Sequence, residues 1–188
     1  MKNPNKKILE CLKSQGIIVA SALTIKEIET AESFYGIKFH QDHKDFLQCG
    51  LPLGDNWYDW RNYSSDNTQK IKKIIAWPLE GILYDIEENN YWCEDVGRKP
   101  KDLILAKKLF TEWFIENVPQ LVPIYSHRYV CNVSNEKNAP VYSVHQTDVI
   151  LYGSNISEYL AKEFQLNIEI KHQTRPKDDI SFWSKLAS

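Results

Sequence analysis

Trp77-Pro78-Leu79-Glu80-Gly81-Ile82-Leu83-Tyr84-Asp85-Ile86-Glu87-Glu88-Asn89-Asn90-Tyr91-Trp92 is the stretch on which the reading of the fold turns. It gathers two indoles, two phenols and four carboxylates (Glu80, Asp85, Glu87, Glu88) around one proline and one glycine. From Gly81 the alternation reads as a strand: Ile82, Tyr84 and Ile86 point one way, Leu83, Asp85 and Glu87 the other. Pro78 ends whatever precedes it, because it offers no N–H and disfavours helical backbone at the residue before it. Asn89-Asn90 predicts a turn, and Trp92 to Lys99 a loop.

Upstream, Asp66 is expected to cap a helix over 67–76, with Ile71, Ile74 and Ile75 inward and Lys70, Lys72 and Lys73 outward. Thr24-Ile25-Lys26-Glu27 spells a capping box, so 25–35 reads as a helix stopped by Gly36. Asp42 is expected to cap a second helix ending near Cys49-Gly50, with Phe46 and Leu47 facing inward. Leu51 to Gly54 reads as a loop. Residues 1–21 read as an N-terminal extension with a short amphipathic helix carrying Ile8, Leu9 and Leu12.

Downstream, Asp102 begins a helix through about Asn117. Its apolar stripe (Leu103, Leu105, Ala106, Leu109, Phe110, Trp113, Phe114) marks it as a main packing helix. Leu121 to Val130 is a strand, and a polar loop covers Asn132 to Asn138. Val141–His145 and Asp148–Tyr152 form a hairpin around Gln146-Thr147. Asn155 caps a further helix, and Asn167–His172 reads as one more short strand. Arg175 to Asp179 reads as a linker, and Ile180-Ser181-Phe182-Trp183 as an apolar segment that docks back. Helices, strand, helix, strands, helix is an α+β order with a mostly antiparallel mixed sheet, not the alternating pattern of a doubly wound fold. Residues 22–188 form the expected single domain.

Composition bounds the function. Of 188 residues, 43% are hydrophobic and 12% aromatic, enough for a real core. Lys+Arg 23 against Asp+Glu 25 gives a net charge of -2, without the basic excess of a general nucleic-acid binder. No apolar run approaches the roughly 20 residues that span a bilayer. Glu10, Lys13, Ser14 and Gln15 interrupt the apolar run Ile8 to Ala20, so it is no signal-peptide core. The four cysteines (Cys11, Cys49, Cys93, Cys131) form no CxxC pair and read as free thiols. A cytoplasmic protein without membrane or nucleic-acid partners is the expectation.

The motifs of catalysis are sparse. The seven glycines are scattered and build no phosphate loop, and there is no GxSxG nucleophile turn. His40 and His43, or His127 with Cys131 and His145, could hold a metal, but neither spacing is that of a recognised zinc site. Asp85 with Glu87 or Glu80 could run acid–base hydrolysis. The competing reading is a structural polar network of Arg61, Glu80, Asp85, His127 and Arg128. A third is that Glu87, Glu88, Tyr91, Trp92, Glu94 and Asp95 form an aromatic patch with an acidic rim for a protein partner.

Several blocks together resemble the SUKH superfamily, the Smi/Knr-type domain, in its bacterial immunity-protein branch. They are Leu23 to Glu32, Phe39 to Leu47, Gly50-Leu51-Pro52-Leu53-Gly54 with Tyr58-Asp59-Trp60-Arg61, and the stretch Trp77 to Trp92. Leu121 to Tyr129, Pro140 to Gly153 and Ile180 to Ser184 complete the set, so the resemblance covers about residues 22–184. Cys93 stands where that branch leads one to expect a tryptophan before the glycine, and Asn132 to Asn138 lacks its proline-rich character. The resemblance implies an α+β domain with no enzymatic activity and no cofactor. Its bacterial members are thought to bind and neutralise a cognate polymorphic toxin, often a nuclease. A regulatory or interaction module of the same fold without a toxin, and a carboxylate-based hydrolase, are the alternatives.

Overall fold

The computed structural model describes residues 3–132, 138–168 and 182–187. The chain runs α1 (Pro4–Ser14), β1 (Ile18–Ala20), α2 (Ile25–Tyr35), α3 (Gln41–Leu47), β2 (Leu51–Leu53) and α4 (Ser65–Glu88). A 3-10 turn (Glu94–Val96) leads to α5 (Leu103–Asn117), β3 (Leu121–Tyr125), β4 (Arg128–Cys131), β5 (Val141–His145), β6 (Asp148–Gly153), α6 (Ile156–Glu163) and α7 (Phe182–Leu186). This is an α+β fold. β1 and β2 pair, and β3-β4-β5-β6 form a four-stranded meander; every pairing among the described residues is antiparallel.

Alternate residues along the meander enter two different cores. Val122, Ile124, Val130 and Val141 join a cluster with α1, α2, α3 and α6. Leu121, Tyr129, Cys131, Tyr142 and Val144 face a second, with Ile82, Ile86, Ala106, Phe110, Phe182 and Trp183. A sheet covered on both faces has no solvent side, so its inner strands are apolar almost throughout. α1 belongs to the first core through Ile8, Leu9 and Leu12, and β1 pairs with β2. Residues 4–20 are thus woven into the domain rather than appended to it.

The deciding stretch is helical, which corrects the strand expected from Gly81. α4 is 24 residues long and begins after Ser64, not Asp66, with Pro78 inside it. Its buried positions Ile71, Pro78, Ile82, Asp85 and Ile86 lie on one helical stripe. Proline at 78 leaves the Ile74 carbonyl, four residues back, without its intrahelical N–H. The buried Tyr129 hydroxyl supplies the missing donor, giving to Ile74 O at 3.0 Å. Gly81 lets the β5–β6 turn touch the helix: a Cβ there would sit 2.9 Å from Gln146 Cα. Asn90, at φ 54, ends the helix in a left-handed residue, consistent with the expected turn.

The locally encoded features hold. The Thr24–Glu27 capping box is complete, and Gly36 is left-handed at φ 65. Asp102 caps α5 by accepting from Leu105 N–H at 3.0 Å, and Asn155 caps α6 by accepting from Glu158 N–H at 2.8 Å. Three expectations are corrected. His40, not Asp42, caps α3, accepting the Asp42 N–H at its Nδ1; the Asp42 carboxylate instead accepts the Ala139 N–H. Leu51–Leu53 is a strand, not a loop. Leu121–Val130 is two strands, folded back at Ser126, whose φ is 48. The C-terminal anchor is seated through Phe182 and Trp183, the Trp183 N–H donating to Pro119 O at 2.8 Å. Of the strand expected over Asn167–His172, Asn167 and Ile168 are not in a strand; its remainder, the linker at 175–179 and the loop at 133–137 lie outside the described residues.

Candidate functional site

The acidic end of the deciding stretch is built where α4, the 3-10 turn, α5 and α7 meet. Lys99 closes the end of α4, its ammonium donating to Ile86 O (3.2 Å), Tyr91 O (3.2 Å) and Asn90 Oδ1 (2.9 Å). Trp92 is half-buried beside Phe110, and its N–H donates to Gly97 O at 2.6 Å. Tyr91 is also half-buried; burial, with Cys93, Asp85 and Asp95 nearby, pushes its hydroxyl pKa up to about 12. Glu87 pairs with Lys107 of α5, and Asp95 with Lys185 of α7 at 2.7 Å. Glu88 and Glu94 stand exposed beside them.

α5 adds an apolar face that its sequence stripe does not announce. Only Ala106 and Phe110 of the helix are fully buried. On the opposite side Ile104 is 82% and Ile115 72% exposed, while Leu105 (46%) and Leu109 (39%) flank that line about 80–140° further round the helix. Eleven residues at 100° each bring Ile115 back to within about 20° of Ile104, so they share one line. Tyr84, on the exposed side of α4, is 51% exposed. The helix expected to be a main packing element therefore presents apolar residues on both its faces.

The residues read as one polar network are dispersed. Arg61 clasps the start of α2, bonding Glu27 Oε1 at 2.6 Å and Ala22 O at 2.9 Å. The Thr24 N–H and Arg61 together hold the Glu27 carboxyl at about 2. Asp85 is buried and caps the β5–β6 turn: it accepts Thr147 N–H (2.8 Å), Thr147 O–H (2.7 Å) and the Asn89 amide (2.6 Å). Burial raises its pKa, but those donors and nearby His145 outweigh it, and the net shift is downward. Arg128 lies over the Tyr152 ring at 4.1 Å, donates to Ser143 Oγ at 3.0 Å and faces Glu163 at 3.5 Å. His127 is bonded to Arg128, the one pairing within the expected network. Glu80 is exposed on α4. Asp85, Glu87 and Glu80 therefore do not converge as a hydrolytic carboxylate pair.

A cleft of about 350 Å³ was not foreseen. It is lined by Asp55, Asn56, Tyr58, Lys70, Lys73, Ile74, Trp77, Ser126, His127 and His145. Lys70, Lys73 and Trp77 are spaced i, i+3, i+7, one face of a helix that continues past Pro78. That spacing was the available signal, hidden by the expected stop at proline. The metal readings do not assemble: His40 caps α3, His43 is buried against Phe39, and Cys131 is buried in the sheet. Among the described residues, no group of three or more His, Cys, Asp and Glu side chains is placed to hold a metal ion. The four cysteines form no disulfide among the described residues, and no helix among the described residues is long and apolar enough to cross a membrane. Comparison with protein-family models, with curated proteins and with solved structures finds no match to this chain.

Proposed function

We propose that this chain is a non-enzymatic protein-binding domain of the SUKH immunity type, which captures a cognate toxin and blocks it without a cofactor. The carrying observation is the outward face of α5. Ile104 and Ile115 are 82% and 72% exposed, with Leu105, Leu109 and the α4 residue Tyr84 as further exposed apolar groups. Single exposed apolar residues are ordinary, but a set this large on one helix marks an interaction surface. Glu88 at the end of α4 and Glu94 in the 3-10 turn stand exposed nearby, with the paired carboxylates Glu87 and Asp95. Apolar anchors beside an acidic rim suit a partner with a basic active site, as in a nuclease, and the acids speed its approach. The resemblance of residues 22–184 to immunity proteins points the same way.

The test is co-expression with the toxin encoded in the neighbouring reading frame, using wild type and Ile104→Glu. Wild type is expected to protect the cell. Ile104→Glu, fully folded by thermal melt, is expected to weaken the complex by roughly 30-fold, the loss of one anchor. Equal protection by both proteins would remove α5 from the interface. No protection by either would remove the immunity reading.

A further inference from the structure

The cleft between α4 and the two hairpin turns has no part in the proposed toxin surface. Lys70 and Lys73 of α4 set two ammonium groups against one carboxylate, Asp55, on its walls. Lys70 is tied back to Asp55 O (2.6 Å) and Trp57 O (3.1 Å), whereas Lys73 is exposed at the mouth. The Arg128 guanidinium, which can only donate, meets His127 Nε2, and His127 Nδ1 lies 3.2 Å from the hydroxyl of Ser126, which also lines the cleft. The imidazole of His145 and the indole of Trp77 form the far wall, their ring centroids 6.3 Å apart and inclined at 58°.

We propose that this cleft binds a small phosphate monoester carrying a flat ring. Lys73 and the Ser126 hydroxyl hold the phosphate, and Trp77 and His145 contact the ring. A phosphate alone would leave most of about 350 Å³ empty, and that volume lies at the lower end of the range for small-molecule sites, about 300–1,000 Å³. Charge-assisted donors give the selectivity for an anion.

The experiment is calorimetric titration of the full chain with adenosine 5′-monophosphate, adenosine and inorganic phosphate. The monophosphate is expected to bind more tightly than either fragment and to weaken as salt rises. Lys73→Ala is expected to weaken it roughly tenfold, the scale of one charge-assisted contact. Lys26→Ala, an exposed cation elsewhere on α2, should leave it unchanged. Trp77→Leu should bring the monophosphate down to the affinity of inorganic phosphate. Adenosine binding as well as its monophosphate, equal losses in Lys73→Ala and Lys26→Ala, or no saturable binding of the monophosphate would each overturn the assignment.

Discussion

The helix that runs through Pro78 depends on a donor supplied from β4, and a double-mutant cycle measures that dependence. Tyr129 is fully buried and its hydroxyl donates to Ile74 O at 3.0 Å. In wild type, Tyr129→Phe removes that bond and leaves the carbonyl with no intrahelical N–H, because residue 78 is proline. A lost net bond of about 1 kcal/mol plus part of the penalty for an unsatisfied, partly buried acceptor gives about 2 kcal/mol. In Pro78→Ala the new N–H bonds Ile74 O as in any helix. Tyr129→Phe then leaves the carbonyl satisfied and costs about 1 kcal/mol or less. The expected coupling is therefore about 1 kcal/mol, beyond the roughly 0.3–0.5 kcal/mol scatter of independent sites. Urea unfolding followed by tryptophan fluorescence on the four proteins provides it. Additive losses, with no coupling outside that scatter, would refute the idea that Tyr129 replaces the proline's missing donor.

Three further outcomes follow from closely packed groups. Asp85→Ala removes the buried carboxylate that accepts from three donors and should cost about 3 kcal/mol by denaturant unfolding. Its folded pKa is lowered, so the gap from wild type should stay constant down to about pH 4 and close as pH falls further. Gly81→Ala, ordinarily favourable in a helix by about 1 kcal/mol, should instead lower the melting temperature, because its Cβ would meet Gln146 backbone at 2.9 Å. Burial, helped by His40, holds His43 at about 3. The unfolded chain then takes up a proton near pH 6.5 that the folded one refuses, and stability falls as pH drops below that value. By pH 5 the loss is about 2 kcal/mol; unfolding of His43→Leu at pH 7 and pH 5 should lack this loss, and an unchanged pH dependence would contradict it.

How much was legible follows from how local each signal is. The capping box at Thr24, the caps at Asp102 and Asn155 and the β5–β6 hairpin need only neighbours in sequence, and they read correctly. α4 was misread because its two breakers are answered from far away. Tyr129 satisfies the backbone at Pro78, and the Gln146 turn needs the bare Cα of Gly81. Ile82 and Ile86 fit both an alternating strand and an i, i+4 helix, so their pattern could not arbitrate. The acidic block was visible, but the partners that hold Glu87 and Asp95 lie 20 and 90 positions on, at Lys107 and Lys185. The exposed face of α5 was hidden for a related reason. A helix apolar nearly all round does not reveal which side the sheet takes.

The proposed function places one helix against a partner, and amide hydrogen exchange with and without the toxin that the proposal requires reads that placement directly. Slowed exchange is expected in α5 and in the last turn of α4, with the amides of α2 unchanged. A stable complex in which α5 exchanges as fast as in the free protein, with protection elsewhere, would contradict it.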